Sequence, residues 1–314
     1  MRSGIQRLLA TGPWPLDGGL ASELEARGHD LSDDLWSARL LRDDPDAIRA
    51  VHAAYFAAGA RVAISASYQA SRRGFAAVGL DARAADRLLT RSVELAREAR
   101  DAALAAGRPG PLLVAASVGP YGAVLADGAE YRGRYGLPHA DLVAFHRERL
   151  EVLAAAGPDL LAVETVPDAA EVAAVVEVLA DHPELPAWVS LSCASGSRTC
   201  AGDRVEDAAT TAAAAATVLA VGVNCTAPEH VSELLPRIRG ATGLPLVVYP
   251  NAGRVWDGAA RCWTGSGADE LPDAADRAWV AGGAALVGGC CGLGPTAVAG
   301  LERVLAPLRA GHLA

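Results

Sequence analysis

The stretch LLAVETVPDAAEVAAVVEVLADHPELPAWVSL, residues 160–191, decides the fold. It opens with an apolar run, Leu160–Glu164, one strand long. A helical pattern follows over Asp168–Asp181, and a second apolar run closes it at Ala187–Leu191. Strands that are apolar on both faces are buried on both faces, which suits a parallel sheet covered by helices. The same unit recurs outward in both directions. Further apolar runs stand at Trp14–Leu16, Arg61–Ser65, Leu112–Ser117, Ala220–Asn224, Leu246–Tyr249 and Ala285–Gly288. Helical patterns lie at Pro45–Ala58, Ala82–Ala106, Ala140–Ala156, Val205–Val218, Pro228–Arg239, Leu271–Ala281 and Pro295–Leu308. The helix at Pro45 carries Asp44 as N-cap and proline in its first turn.

Eight strands alternating with eight helices predict a (β/α)8 TIM barrel, class α/β, as one domain over residues 1–314. An open doubly wound sheet is the alternative, weakened because no G-x-G-x-x-G follows the first strand. There is no linker, repeat or low-complexity tract. Gly119–Gly136 and Ser192–Asp203 read as long loops and are expected to shape a site.

The 314 residues are 51% hydrophobic and 21% charged, enough apolar surface for a large core. With 28 basic and 37 acidic residues the net charge is −9, so neither nucleic acid nor an anionic membrane is attracted. Every basic residue is arginine. A lysine Schiff base, lysine-bound pyridoxal phosphate and a P-loop lysine are thereby excluded. No secretory signal is seen, and no apolar run approaches the ~20 residues that span a bilayer. A cytoplasmic protein is expected. Its six cysteines then read as thiols or metal ligands rather than disulfides.

Two of those cysteines are adjacent, in Gly288-Gly289-Cys290-Cys291-Gly292 at the end of the eighth strand. Neighbours on a regular strand point to opposite faces, so the pair can converge only where the backbone turns, as glycine permits. Gly222-Val223-Asn224-Cys225-Thr226 ends the sixth strand. In a barrel both ends face the same mouth, so Cys225, Cys290 and Cys291 can meet. Three protein ligands with an open fourth position are a catalytic zinc pattern. The competing reading is that each cysteine is a small buried hydrophobe. Asn224-Cys225-Thr226 also matches a glycosylation signal, which fails without secretion. Cys193, Cys200 and Cys262 are read as non-ligands.

The chain as a whole resembles the homocysteine S-methyltransferase family, most closely its S-methylmethionine branch. The resemblance rests on Leu16-Asp17-Gly18-Gly19-Leu20 with Glu23 to Gly28, Ser67-Tyr68-Gln69-Ala70-Ser71, Ser117 to Gly122, and Glu130-Tyr131-Arg132-Gly133. Glu164-Thr165-Val166-Pro167, Asn224-Cys225-Thr226, Tyr249 to Gly253 and Gly289-Cys290-Cys291-Gly292 complete it. The chain departs from the family at Leu293-Gly294-Pro295, and in Ser195–Asp203 with its Arg198 and Cys200.

The resemblance implies that Cys225, Cys290 and Cys291 bind Zn²⁺, supported from behind by Asn224 and Gly289. It assigns Asp17 and Glu164 to the amino end of homocysteine and the Gly18-Gly19 backbone to its carboxylate. It places Trp36, Tyr68, Tyr121 and Asn251 around the methyl donor, the aromatic faces suiting a cationic centre. Asp17 can equally cap the first helical turn, and Trp36 can be ordinary packing. The implied reaction moves a methyl group from a sulfonium donor, S-methylmethionine or S-adenosylmethionine, to the thiol of L-homocysteine, giving methionine. Small-molecule substrates are the only partners expected, with no nucleic acid and no membrane. Three alternatives stand beside it. One is a betaine-like donor or another thiol or selenol acceptor. A second is a zinc hydrolase, which an all-thiolate set disfavours. The third is a redox sensor built on the vicinal cysteines.

Overall fold

A computed structural model describes residues 2–33, 35–253, 255–257, 262–264, 267 and 270–310. The apolar runs become strands β1 (Trp14–Pro15), β2 (Val62–Ile64), β3 (Leu113–Val118), β4 (Leu160–Val166), β5 (Ala187–Leu191), β6 (Val218–Asn224) and β7 (Leu246–Tyr249). A short antiparallel hairpin follows, β8 (Val255–Asp257) with β9 (Cys262–Thr264), and then β10 (Ala284–Val287). The eight strands other than the hairpin form one parallel sheet in the order β1-β10-β7-β6-β5-β4-β3-β2. A parallel bridge from Leu16 to Val62 joins its two edges, so the sheet curls into a (β/α)8 barrel. Strands β3, β4 and β5 are buried along their whole length, as their two-sided apolarity predicts.

Strand alternation sorts the side chains. One face looks into the barrel, where Leu16, Val62, Leu113, Ala115, Leu160, Ala162, Trp188, Ala220, Val247 and Leu286 form an inner core. The other face meets the helices in a larger core containing Val114, Leu161, Val163, Val189, Val221 and Val248. Ile5 and Leu8 of an N-terminal helix, Arg2–Thr11, join the inner core and close the N-terminal end of the barrel. The alternation of strands and helices starts only after this helix and does not announce it.

The helix at Pro45–Ala58 forms as expected, with the Asp44 carboxylate accepting from the Ala47 backbone N–H at 3.2 Å. The helix read as Val205–Val218 stops at Ala213, because Val218 already pairs with Ala187 at the start of β6. An alanine-rich run fits either structure, and the sheet wins. Gly119–Gly136 is less of a loop than expected. It holds a helix at Tyr121–Leu125 and a 3₁₀ turn at Ala129–Tyr131. Among the described residues no helix is long and apolar enough to cross a membrane.

Candidate active site

At the C-terminal end of the barrel the inward-facing residues turn from apolar to polar. Counting up alternate positions from the inner core reaches Ser117 on β3, Glu164 on β4, Ser190 on β5, Asn224 on β6 and Tyr249 on β7. These side chains are satisfied by one another. The Ser117 hydroxyl donates to Glu164 Oε1, and the Trp188 indole N–H donates to the Tyr249 hydroxyl at 3.0 Å. Ser190 Oγ donates to Asn224 Oδ1 at 2.8 Å and lies 2.6 Å from the Tyr249 hydroxyl. Asn224 Oδ1 also accepts from the Thr165 backbone N–H at 2.7 Å, while its Nδ2 donates to Thr165 Oγ1 at 2.7 Å. Thr165, near the end of β4, and Cys225, just past β6, both adopt left-handed backbone angles, with φ of 59° and 47°. Such angles are costly for side chains other than glycine and are held by the surroundings.

The left-handed turn at Cys225 brings its thiol to the mouth, opposite the turn Cys290–Leu293. There the Leu293 N–H donates to the Cys290 carbonyl at 3.1 Å, with Gly292 between them at φ 85°. That is the third position of a type II turn, which calls for glycine. The turn aims both thiols at Cys225. The Sγ–Sγ separations are 3.1 Å from Cys290 to Cys225, 3.5 Å from Cys225 to Cys291 and 3.9 Å from Cys290 to Cys291. Four ligands around a tetrahedral ion with metal–sulfur bonds of ~2.3 Å would put sulfurs ~3.8 Å apart. The observed triangle is close to that, and all three thiols are free. These residues can therefore hold a metal ion. The thiols of Cys290 and Cys291, with the Tyr131 hydroxyl 3.2 Å away, stabilise a thiolate on Cys225 and draw its pKa well down.

The thiols open into a cavity of about 300 Å³ at the barrel mouth. Gly18, Gly19, Trp36, Tyr68, Glu164, Cys225, Gly289, Cys290 and Cys291, each singled out in the sequence, line it. A methyl group added at Gly19 would stand 2.7 Å from the Cys290 carbonyl oxygen, so glycine is required where this backbone passes the cysteine turn. Asp17 and Asn224 sit buried directly behind the wall. Asp17 Oδ2 accepts from the Ile64 backbone N–H at 2.6 Å. Burial, with Glu164 nearby, pushes the Asp17 carboxyl well above its usual range, and burial pushes Glu164 up to about 7. The described lining carries the carboxylates of Glu25, Asp30, Asp33, Glu130 and Glu164 and no arginine, so the cavity favours a cationic guest.

A family model described as homocysteine S-methyltransferase matches residues 15–305. A homocysteine S-methyltransferase of Escherichia coli is 47% identical over 294 residues, covering 91% of this chain and 93% of that protein. The homocysteine S-methyltransferase YbgG of Bacillus subtilis is 44% identical over 293 residues, covering 91% and 93%. The chain belongs to the homocysteine S-methyltransferase family. The crystal structure of the metallated form of the homocysteine methyltransferase MmuM from E. coli superimposes with a TM-score of 0.84 at 45% identity, covering 92% of this chain and 95% of that one. The protein is thus a methyltransferase enzyme on a TIM barrel.

Within this homocysteine S-methyltransferase the structure moves three expectations. Tyr121 does not line the cavity. Its ring packs edge-on against Phe145 and near Tyr135, and its hydroxyl accepts from Arg73. The phenol that the same loop turns toward the thiols is Tyr131, ten residues on, with Glu130 beside it. Asn251 also stays out of the lining. Its Oδ1 accepts from the Gly253 N–H at 2.9 Å, shaping the turn after β7. The loop Ser192–Asp203 does not line the cavity either, because its backbone bonds run to itself and to the ends of β4 and β6. Cys193 and Cys200 lie in or beside that loop and outside the thiol triad, where burial pushes Cys200 up to about 11. Cys262 falls on β9, and its side chain lies outside the described residues.

Proposed function

We propose that this enzyme carries out zinc-dependent transfer of a methyl group from S-methylmethionine to the thiol of L-homocysteine, releasing methionine. The observation that carries the reading is the convergence of the Cys225, Cys290 and Cys291 thiols at the floor of an acidic, aromatic-lined cavity. Those three residues would hold the zinc as thiolates, leaving its fourth position toward the cavity. Bound there, zinc supplies Lewis acidity that brings the pKa of an incoming thiol toward neutrality.

The chain's own residues do the rest. Glu164 holds the homocysteine ammonium group, with the Asp17 carboxyl behind the wall beside it, and the ammonium returns the buried Glu164 carboxyl to its charged form. The Gly18-Gly19 backbone, without side chains, lets the amino-acid carboxylate approach the cysteine turn. Trp36 and Tyr68 offer ring faces to the sulfonium methyl groups. Holding acceptor sulfur and donor methyl in line converts a two-body encounter into a local displacement. The thiol proton leaves to solvent as the thiolate forms. The thiolate sulfur then gains the methyl group while the sulfonium sulfur keeps the bonding pair, so one negative and one positive charge cancel and both products are neutral thioethers. A donor with a net positive charge suits the carboxylates better than betaine, whose charges cancel. A cavity near the lower end of ligand pockets (~300–1,000 Å³) suits an amino-acid donor better than a nucleoside. Free site thiols suit a reducing compartment, and the reading places the enzyme in the cytoplasm.

The test incubates reduced, zinc-loaded protein with homocysteine and S-methylmethionine, S-adenosylmethionine or betaine in turn, quantifying methionine. The expected result is methionine from S-methylmethionine above the other two, falling to background in Cys290→Ala together with bound zinc. No methionine from any donor, with zinc still bound, would overturn the reading.

A further inference from the structure

Among the described residues, two acceptor atoms at the cavity wall have nothing to accept from. Glu130 is 8% exposed, and its Oε2 is buried without a hydrogen-bond partner. Its carboxylate accepts from its own backbone N–H. Gln69 donates through Nε2 to the Ala123 carbonyl at 3.0 Å, which leaves its Oε1 buried and unpartnered. Both residues line the cavity. Both are also tied to the loop after β3, since the Glu130 backbone N lies against Gly122, next to the carbonyl that Gln69 holds. A buried carboxylate left without a partner is expensive, and a ligand that supplies both positive charge and N–H donors removes that cost. An ammonium group carries positive charge and three N–H donors, enough for two such acceptors.

Which ammonium it is follows from the neighbours. Asp17 and Glu164, at the ends of β1 and β4, are the pair read for the acceptor. Glu130 instead precedes Tyr131, whose hydroxyl meets Cys225, and Gln69 follows Tyr68, the phenol read for the methyl donor. We propose that Glu130, with Gln69 as a second acceptor, binds the α-ammonium group of the methyl-donor amino acid. This rests on the methyl-transfer reading above. It makes the enzyme select amino-acid sulfonium donors over sulfonium compounds that lack the α-amino group, by a contact remote from the reacting methyl.

The test measures calorimetric binding of S-methylmethionine, and of its analogue without the α-amino group, to zinc-loaded wild type, Glu130→Gln and Gln69→Leu, with homocysteine absent. Steady-state KM values for both substrates follow. Glu130→Gln is expected to weaken S-methylmethionine roughly tenfold or more, with KM carrying more of the change than kcat. Binding of the analogue and the KM for homocysteine stay where they were. Gln69→Leu weakens the same ligand by less, and it keeps the test readable if Glu130→Gln lowers the folded yield. Unchanged S-methylmethionine binding, equal weakening of both donors, or a change carried by homocysteine would each overturn the assignment. If S-methylmethionine binds in a Glu130-dependent way yet no methionine forms from any donor, the methyl-transfer reading falls and the ammonium site stands.

Discussion

Asn224 carries more of the site than a neutral side chain usually does. Its single amide ties β6 to β5 and to the left-handed residue Thr165 near the end of β4, and the next residue is Cys225. Replacing it with alanine leaves the Thr165 N–H and two hydroxyls without their partner inside the barrel. The expected cost is about 1–3 kcal/mol for each group left unsatisfied, read by denaturant unfolding. Zinc bound per chain should fall as well, read by metal analysis, because the turn that aims Cys225 loses its support. At this scale the sequence was legible where a residue type is rare and its place fixed by topology. Three cysteines at two strand ends had one mouth to share. It was less legible for the aromatics. Tyr121 and Tyr131 lie on the same segment, and that segment coils into a helix and a 3₁₀ turn. Which ring faces the cavity then depends on the rotation of those turns, which spacing along the chain does not encode.

Elements were readable because parallel strands are apolar on both faces and long helices carry caps. The N-terminal helix escaped notice although Ile5, Leu8 and Leu9 have helical spacing, since a short charged N-terminal segment reads first as a targeting question. The helix Pro45–Ala58 brings a different consequence. His52 lies on its buried face with neither ring nitrogen paired among the described residues, and burial lowers its pKa to about 4. The unfolded chain binds this proton near pH 6.5 and the folded chain does not until about 4. Stability therefore falls as pH drops through that window and levels off below it. The expected loss is about 2 kcal/mol between pH 8 and pH 5 from this group. His52→Leu should flatten that part of the profile, measured by unfolding at a series of pH values.

For the whole molecule, a net charge of −9 and a cavity lined by carboxylates act together on a charged substrate. At low ionic strength the field reaches well beyond contact, and at ~0.1 M salt it is screened within about 10 Å. The KM for a cationic sulfonium donor is expected to rise between low and high salt, while that for zwitterionic homocysteine holds steady. Steady-state kinetics across a salt series checks this, and a flat response for both substrates would argue that contacts inside the cavity decide binding alone. The N-terminal helix sets a further condition on traffic. With Ile5 and Leu8 packed beneath side chains that already fill its interior, the barrel is a cup rather than a tube. Reactants and products share one doorway, so a departing molecule must clear it before the next can settle. With S-methylmethionine as donor, both halves of the reaction end as methionine. The cup then holds two copies of one compound, and methionine already in solution rebinds and keeps it occupied, so turnover slows as the product accumulates around it.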